Sequence, residues 1–327
     1  MTPSITSGLR RRQLLAAAGA TLALPAFAQS GYPNKQLRWI VPYTAGGATD
    51  LVARTIGEVL GNALGQRVMV DNRPGAGGTV GAQMLAAAPA DGYTLGTADN
   101  GTLFNNWHLF PKLPYTPESF QYVAMTGRFP LVLAVNGQVP AKTMTEWQQW
   151  ARRSKDVSYG TPGVGSPHHI AMALLEDRLG LHMQHVPYKG DAAAVVDLIG
   201  GQIPTMMMGV ATARQYLKDE RVRFIGITWD ARLSSMPGVP TFDEAGVRNF
   251  EAYAEQGILM PAGTPRDIVL RINKEVEKAL ATPAVREKLE GLGMYPVTKS
   301  PEDFRAYVAR QAATAGEVIK RKGITIG

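Results

Sequence analysis

The chain is predicted to be an α/β protein of two lobes, each a mostly parallel sheet flanked by helices, joined by crossover strands. Three observations carry this. Short apolar runs alternate with helical patterns over most of the 327 residues, the arrangement of parallel sheets covered on both faces. Three glycine-rich segments, at 39–50, 72–82 and 159–169, each follow an apolar run and precede a predicted helix. The strands are also too many for one sheet of ordinary width, which calls for two.

Apolar runs bounded by turn residues place strands at Leu37–Tyr43, Arg67–Asp71, Tyr93–Thr97, Leu131–Val135, Val157–Tyr159, Gln184–Val186, Ile203–Met208 and Val222–Ile227. Helical patterns fill Thr49–Leu64, Thr79–Ala88, Thr143–Arg153, Pro167–Leu179 and Ala192–Ile199. The tail is helical, with Pro265–Leu280, Pro283–Leu289 and Pro301–Lys320 each opened by a Thr-Pro or Ser-Pro pair. Extended apolar segments at Phe129–Asn136 and Phe250–Met260 are expected as paired hinge crossings. They give a first lobe of 29–130 plus 251–327 and a second lobe of 131–250.

The first 28 residues are expected to stand apart from this fold. Arg10, Arg11 and Arg12 precede a short apolar stretch from Leu14 to Leu24, and Ala26-Phe27-Ala28 is a small-x-small cleavage site. This is the pattern of an export signal cleaved after Ala28, with a periplasmic destination. Arg11-Arg12-Gln13-Leu14-Leu15 fits the twin-arginine route and the general secretory route alike. Without those three arginines, 34 basic residues become 31 against 27 acidic, and the net charge falls from +7 to +4. That mild balance, with no basic run, excludes a nucleic-acid partner. With no cysteine in the sequence, disulfides and thiol chemistry are excluded as well.

In each glycine-rich segment, small residues leave main-chain N–H groups uncovered at a helix start. Such groups lack intrahelical partners, and the helix dipole adds partial positive charge, so a small anion fits there. In the first segment Tyr43, Thr44, Ala45, Gly46, Gly47, Ala48, Thr49 and Asp50 end a strand and open a helix; a tight turn without ligand has the same spacing. In the second, Gly75, Gly77 and Gly81 nearly give the dinucleotide spacing, but the last glycine is one residue late. Close packing of a helix on the sheet is the better reading there. In the third, Thr161, Ser166 and the N–H groups of Gly163, Val164 and Gly165 precede a helix that Pro167 can start.

That third segment also allows an esterase reading, with Ser166 as nucleophile and His169 as base, although the G-x-S-x-G elbow is absent. Four histidines, His168, His169, His182 and His185, fall close together. The last two are expected near a strand start, away from the helix at 167, so the four read as loop or surface residues rather than zinc ligands. Lys189 follows Pro187-Tyr188 at another strand-to-helix turn, where it could neutralise a carboxylate.

The order of these motifs is more specific than any one of them. It comprises Val-Pro-Tyr-Thr-Ala-Gly-Gly-Ala-Thr-Asp (41–50), Asp-Asn-Arg-Pro-Gly-Ala-Gly-Gly (71–78) and Phe-Pro-Lys-Leu-Pro-Tyr (110–115). Tyr-Gly-Thr-Pro-Gly-Val-Gly-Ser (159–166) with His169, Val-Pro-Tyr-Lys-Gly (186–190), Gly-Gly-Gln-Ile (200–203) and Pro-Gly-Val-Pro-Thr-Phe-Asp-Glu-Ala-Gly (237–246) follow. From about Tyr32 onward the chain resembles the Bug-type periplasmic solute-binding proteins, receptors of tripartite tricarboxylate transporters. The resemblance implies a hinged, two-lobed type II periplasmic-binding-protein fold without enzymatic activity, cofactor or metal. It further implies a monomer that takes a small carboxylate to membrane transporter subunits. The ligand is expected to be a di- or tricarboxylate or an aromatic acid.

By the same resemblance the cleft is lined by Tyr43 to Asp50 and by Asn100, Gly101 and Thr102. Thr161, Gly163, Val164, Gly165, Ser166 and His169 would stand opposite, with one carboxylate held by main-chain N–H groups and hydroxyls. The family usually carries Phe-Asp where Met208-Gly209 stands here. That departure implies a missing carboxylate and fewer amino-acid ligands. Phe104, Trp107 and Met208 suggest a more apolar cleft. The remaining alternatives are the exported hydrolase and a ligand sensor for a signalling partner.

Overall fold

The computed structural model describes residues 31–326, so the export-signal and cleavage expectations lie outside the described residues. The first half of the chain holds β1 (Leu37–Val41), α1 (Ala48–Leu64), β2 (Val68–Asn72), α2 (Thr79–Ala86), β3 (Thr94–Asp99), α3 (Asn106–Leu109) and the long β4 (Phe120–Asn136). Then come α4 (Met144–Arg153), β5 (Ser158–Thr161), α5 (Pro167–Leu179), β6 (Gln184–Pro187), α6 (Asp191–Gly200), β7 (Thr205–Gly209), α7 (Val210–Ala213) and β8 (Val222–Ile227). The tail holds β9 (Tyr253–Pro261), α8 (Arg266–Ala281), α9 (Pro283–Gly291), β10 (Tyr295–Pro296) and α10 (Pro301–Lys322).

Helix boundaries fall where local capping chemistry puts them. Ser166 Oγ accepts the His169 N–H at 3.2 Å ahead of Pro167, and Ser300 Oγ accepts the Asp303 N–H at 3.1 Å ahead of Pro301. Each hydroxyl satisfies a donor that the helix itself cannot. Gly180 closes α5 at φ 61°, a left-handed conformation that glycine adopts without a Cβ penalty.

The strands run in the order β2-β1-β3-β9-β4-β7-β5-β6, with β8 and β10 also paired to β4. As expected, the strands fall into two sets, β2-β1-β3-β9 with β10 and β7-β5-β6 with β8. The link between them is β4, which belongs to both. Up to Pro130 it pairs antiparallel with β9, ending in Pro130↔Tyr253. From Leu131 it pairs with β7, beginning at Leu131↔Gly209, and from Val132 with β8. The expected parallel pairing holds for β2-β1-β3 and for β6-β5-β7, while the middle strands are antiparallel.

The core follows from strand alternation. Met207 packs with Trp147, Tyr159 and Phe242 on one face of the sheet, and Met206 and Met208 pack with Val132 and Ile227 on the other. A strand buried on both faces must be apolar at every position. A third cluster joins Ile40, Leu85 and Leu103 to Phe304 and Val308 of α10. The second glycine-rich segment serves packing, as expected: a Cβ on Gly81 would lie 2.8 Å from the Pro42 Cβ.

Candidate functional site

The sheet delivers several helix starts to one place. β1 leads through 42–47 into α1, β5 through 162–166 into α5, β6 through 188–190 into α6, and β7 directly into α7. A cavity of about 290 Å³ lies among these starts, lined by Ala48, Thr49, His168, Asp191, Gly209 and Gln256 among others. No lysine or arginine is among its lining residues; positive potential there comes from helix N-termini. A larger surface groove of about 420 Å³ beside Asn273 and Lys299 contains no unpartnered buried polar side-chain atom.

Asp50 builds the first wall. Its carboxylate accepts the Gly46 N–H, Arg54 Nε and Asn72 Nδ2, each at 2.9 Å, and Asn72 also donates to the Tyr43 carbonyl at 3.0 Å. Burial pushes the Asp50 carboxyl up, but the donors from Arg54, Gly46 and Asn72 outweigh it and hold the group below the usual range. Asp50 and the Gly46 amide are therefore consumed in shaping the loop. Tyr43 does not line the cavity; its hydroxyl donates to Asp99, which does. Thr44 and Ala45 are exposed. The N–H groups of Gly47, Ala48 and Thr49 have no partner among the described residues. Thr49 Oγ1 accepts from Gln256 Nε2 at 2.7 Å, which leaves the hydroxyl proton free to donate.

Asn100 lines the cavity but braces β9, donating to the Tyr253 carbonyl at 2.9 Å and accepting the Glu255 N–H at 2.6 Å. Gly101 and Thr102 do not line it. The Thr102 N–H donates to Asp99 Oδ1 at 3.2 Å.

The opposite wall departs from expectation. The Gly163 N–H donates to Thr161 Oγ1 at 3.4 Å, the Gly165 N–H to His169 Nδ1 at 3.1 Å, and the Ser166 N–H to the Gly163 carbonyl at 3.3 Å. Of the three amides expected to be uncovered, Val164 alone lacks a partner among the described residues. The cause is local: His169 sits one turn into α5 and its ring reaches back over the loop. Thr161 and His169 are buried, at 0% and 6% exposure, and the wall from this element consists of Pro167 and His168 instead. Ser166 Oγ bonds the main chain of His169, whose ring Nδ1 is held by Gly165, so the two side chains form no nucleophile–base pair through that nitrogen.

His185 also corrects the reading. It lies on β6 beneath α5, its ring stacked on His169 with centroids 3.6 Å apart. Face-to-face rings aim their nitrogens in plane, not at a shared ion. Lys189 is exposed and does not line the cavity. Met208 is fully buried in the core and Phe104 is 4% exposed. Neither these two nor Trp107 lines the cavity, where the large apolar groups are Phe129, Leu131, Val210 and Leu292. Gly209 does line it.

Sequence reasoning missed the polar centre of the site. The carboxylate thought absent beside Gly209 arrives from Asp191. Its Oδ2 accepts the Gly209 N–H at 3.0 Å and the Thr212 hydroxyl at 3.2 Å. Its Oδ1 has no hydrogen-bond partner, and His168 Nε2 stands 4.0 Å away. Both ring nitrogens of His168 and Oε1 of Gln256 are likewise buried and unpartnered. Burial pushes the His168 imidazole below its usual pKa, against the pull of Asp191. The position of Asp191 at a helix start after Tyr188-Lys189-Gly190 was a usable signal; nothing local marks Gln256.

The chain matches the family model described as tripartite tricarboxylate transporter family receptor over residues 52–324. BugT of Bordetella pertussis is 32% identical over 309 residues, covering 94% of this chain and 94% of BugT. The periplasmic binding protein BugD superposes with a TM-score of 0.72 at 30% identity, covering 90% of this chain and 100% of its own. MatC from Rhodopseudomonas palustris, solved with bound malate, gives 0.72 at 32% identity, covering 88% and 100%. The architecture is the two-lobed type II periplasmic-binding-protein fold that the motif order implied. The chain belongs to the tripartite tricarboxylate transporter receptor family.

Proposed function

We propose that this chain is a periplasmic solute receptor that closes over a small carboxylate and hands it to the membrane subunits of a tripartite tricarboxylate-type transporter. The supporting observation is the cavity itself: three uncovered amides at the start of α1 beside buried polar atoms that have no protein partner. Native proteins seldom leave such atoms unpaired. A ligand carboxylate would sit on the N–H groups of Gly47, Ala48 and Thr49 and on the Thr49 hydroxyl. Phe129 and Leu131 give its carbon skeleton an apolar wall. The malate bound to MatC supports a di- or tricarboxylate; an aromatic acid is the other class.

In this reading residues 29–130 with 251–327 form one lobe and 131–250 the other, hinged where β4 changes partners. The protein acts as a monomer after removal of residues 1–28, without cofactor. A sensor for a signalling partner would use the same cleft; growth of a deletion strain on the bound compound separates uptake from sensing.

Ligand at about 100 times its dissociation constant stabilises the folded state by about 2.7 kcal/mol, which for about 300 residues is a melting shift of about 4 °C. A thermal-shift panel of dicarboxylates, tricarboxylates, aromatic acids, amino acids, sugars and cations is the test. A shift with sugars or cations and with no carboxylate overturns the proposal.

A further inference from the structure

Resting on the receptor reading, we propose that Asp191 makes the site selective for carboxylates that also carry a hydrogen-bond donor, a hydroxyl or an ammonium group. A carboxylate only accepts hydrogen bonds. One oxygen of Asp191 is held by the Gly209 N–H and the Thr212 hydroxyl, which fix the orientation of the group, and the other has no partner. Gln256, 4% exposed, adds a second unpartnered acceptor among the lining residues. The amide donors of the site lie at the α1 start, the spare oxygen acceptors lie on Asp191 and Gln256, and His168 offers one donor and one acceptor nitrogen beside Asp191. A molecule complementary to that division presents a carboxylate to one and an O–H or N–H to the other.

An unsubstituted carboxylate would dry the cavity while leaving Asp191 Oδ1 unpaired, and sites built for a hydrogen bond reject analogues that lack it. With no lysine or arginine among the lining residues to offset the charge, a second ligand carboxylate must point away from Asp191 and leave the hydroxyl or ammonium group to face it. The missing side chain of Gly209 makes room for this arrangement: a Cβ there would lie 3.3 Å from Asp191 Oδ2. The competing structural role is a private pair, in which His168 closes its 4.0 Å gap to Asp191 and ligand choice is unaffected.

The test is calorimetric titration of the whole mature chain with two matched series: succinate, malate and aspartate, then 3-phenylpropionate, phenyllactate and phenylalanine. The wild type binds the hydroxyl or ammonium member of at least one series about tenfold or more tighter than the unsubstituted member. Asp191→Asn, whose amide offers a donor in place of the free acceptor, reduces that ratio to near one or inverts it. It weakens an ammonium ligand more than a hydroxyl ligand. Gly209→Asp combined with Asp191→Ser carries the carboxylate in from the other side and restores the ratio, which keeps the test informative if Asp191→Asn folds poorly. A wild-type ratio near one, or a ratio unchanged by Asp191→Asn, overturns the inference and leaves the receptor reading standing. Absence of any carboxylate binding overturns the receptor reading itself.

Discussion

His169 of α5 and His185 of β6 stack face to face, their ring planes 17° from parallel and their centroids 3.6 Å apart. The rings are tied to neighbouring points of the chain, His169 Nδ1 to the Gly165 N–H at 3.1 Å in the loop and His185 Nε2 to Thr161 Oγ1 at 2.6 Å at the end of β5. Burial, then the neighbouring His185, pushes His169 down to about 3, and burial pushes His185 down to about 4. Both rings are therefore neutral in the folded protein at neutral pH, as close stacking requires.

These shifts predict acid lability. The folded-state values lie below the unfolded value of 6.5, so the pair contributes stability above pH 6.5 that is lost as pH falls toward 4 and 3. At about 1.4 kcal/mol per pH unit, His185 accounts for about 3 kcal/mol and His169 for about 5 kcal/mol. Urea midpoints measured from pH 7 to 4 should fall with a slope approaching two protons, and His185→Gln should halve it. A flat wild-type curve across that range would refute the assignment.

Glu255 predicts the opposite sign. It is 3% exposed and accepts from Arg128 Nε at 3.1 Å and from the Tyr307 hydroxyl. Burial outweighs both partners and pushes its carboxyl from 4.5 up to about 7. Its contribution is thus fully present below pH 4.5 and lost as pH rises through 7. Relative to Glu255→Gln, the wild type should lose about 1–3 kcal/mol between pH 5 and 8. Parallel stability curves for the two proteins would exclude this titration.

Asp50→Ala tests loop construction. It removes a buried carboxylate that accepts from Gly46, Arg54 and Asn72, and should destabilise the fold by about 2–4 kcal/mol. Because the same group shapes the turn that presents the Gly47 to Thr49 amides, carboxylate affinity should fall about tenfold or more. Denaturation and titration on one preparation check both; full affinity in the variant would show that the turn holds its shape unaided.

Gly257→Ala tests packing at the centre of β9. The new Cβ would lie 2.3 Å from Phe304 Cζ and 2.9 Å from the Ala124 carbonyl oxygen. Overpacking should destabilise by about 1–3 kcal/mol, and Phe304→Leu in the same chain should recover part of it, because the ring is one of the two obstacles. A double-mutant cycle with no coupling would contradict the contact.

Eight of the ten α-helices among the described residues were legible to within a residue or two because their signals are local, while the short α3 and α7 were not read. Pro167–Leu179 has its cap, its first-turn proline and its closing glycine all in sequence, and Val222–Ile227 is a plain apolar run. The α1 start was legible for the same reason. The wall at 163–165 was not, since uncovered amides in sequence became covered once the His169 ring folded back.

By itself the sequence determined the order and type of the longer elements, the family motifs and the α1 amide cluster, all of which depend on residues a few positions apart. The tertiary structure alone decided that β4 serves both strand sets, that His185 lies under His169, and that Asp191 fills the space left by Gly209. Those relationships join residues distant in the chain. They are settled by which strands pair and which side chains then share a buried volume, and no local pattern encodes that outcome.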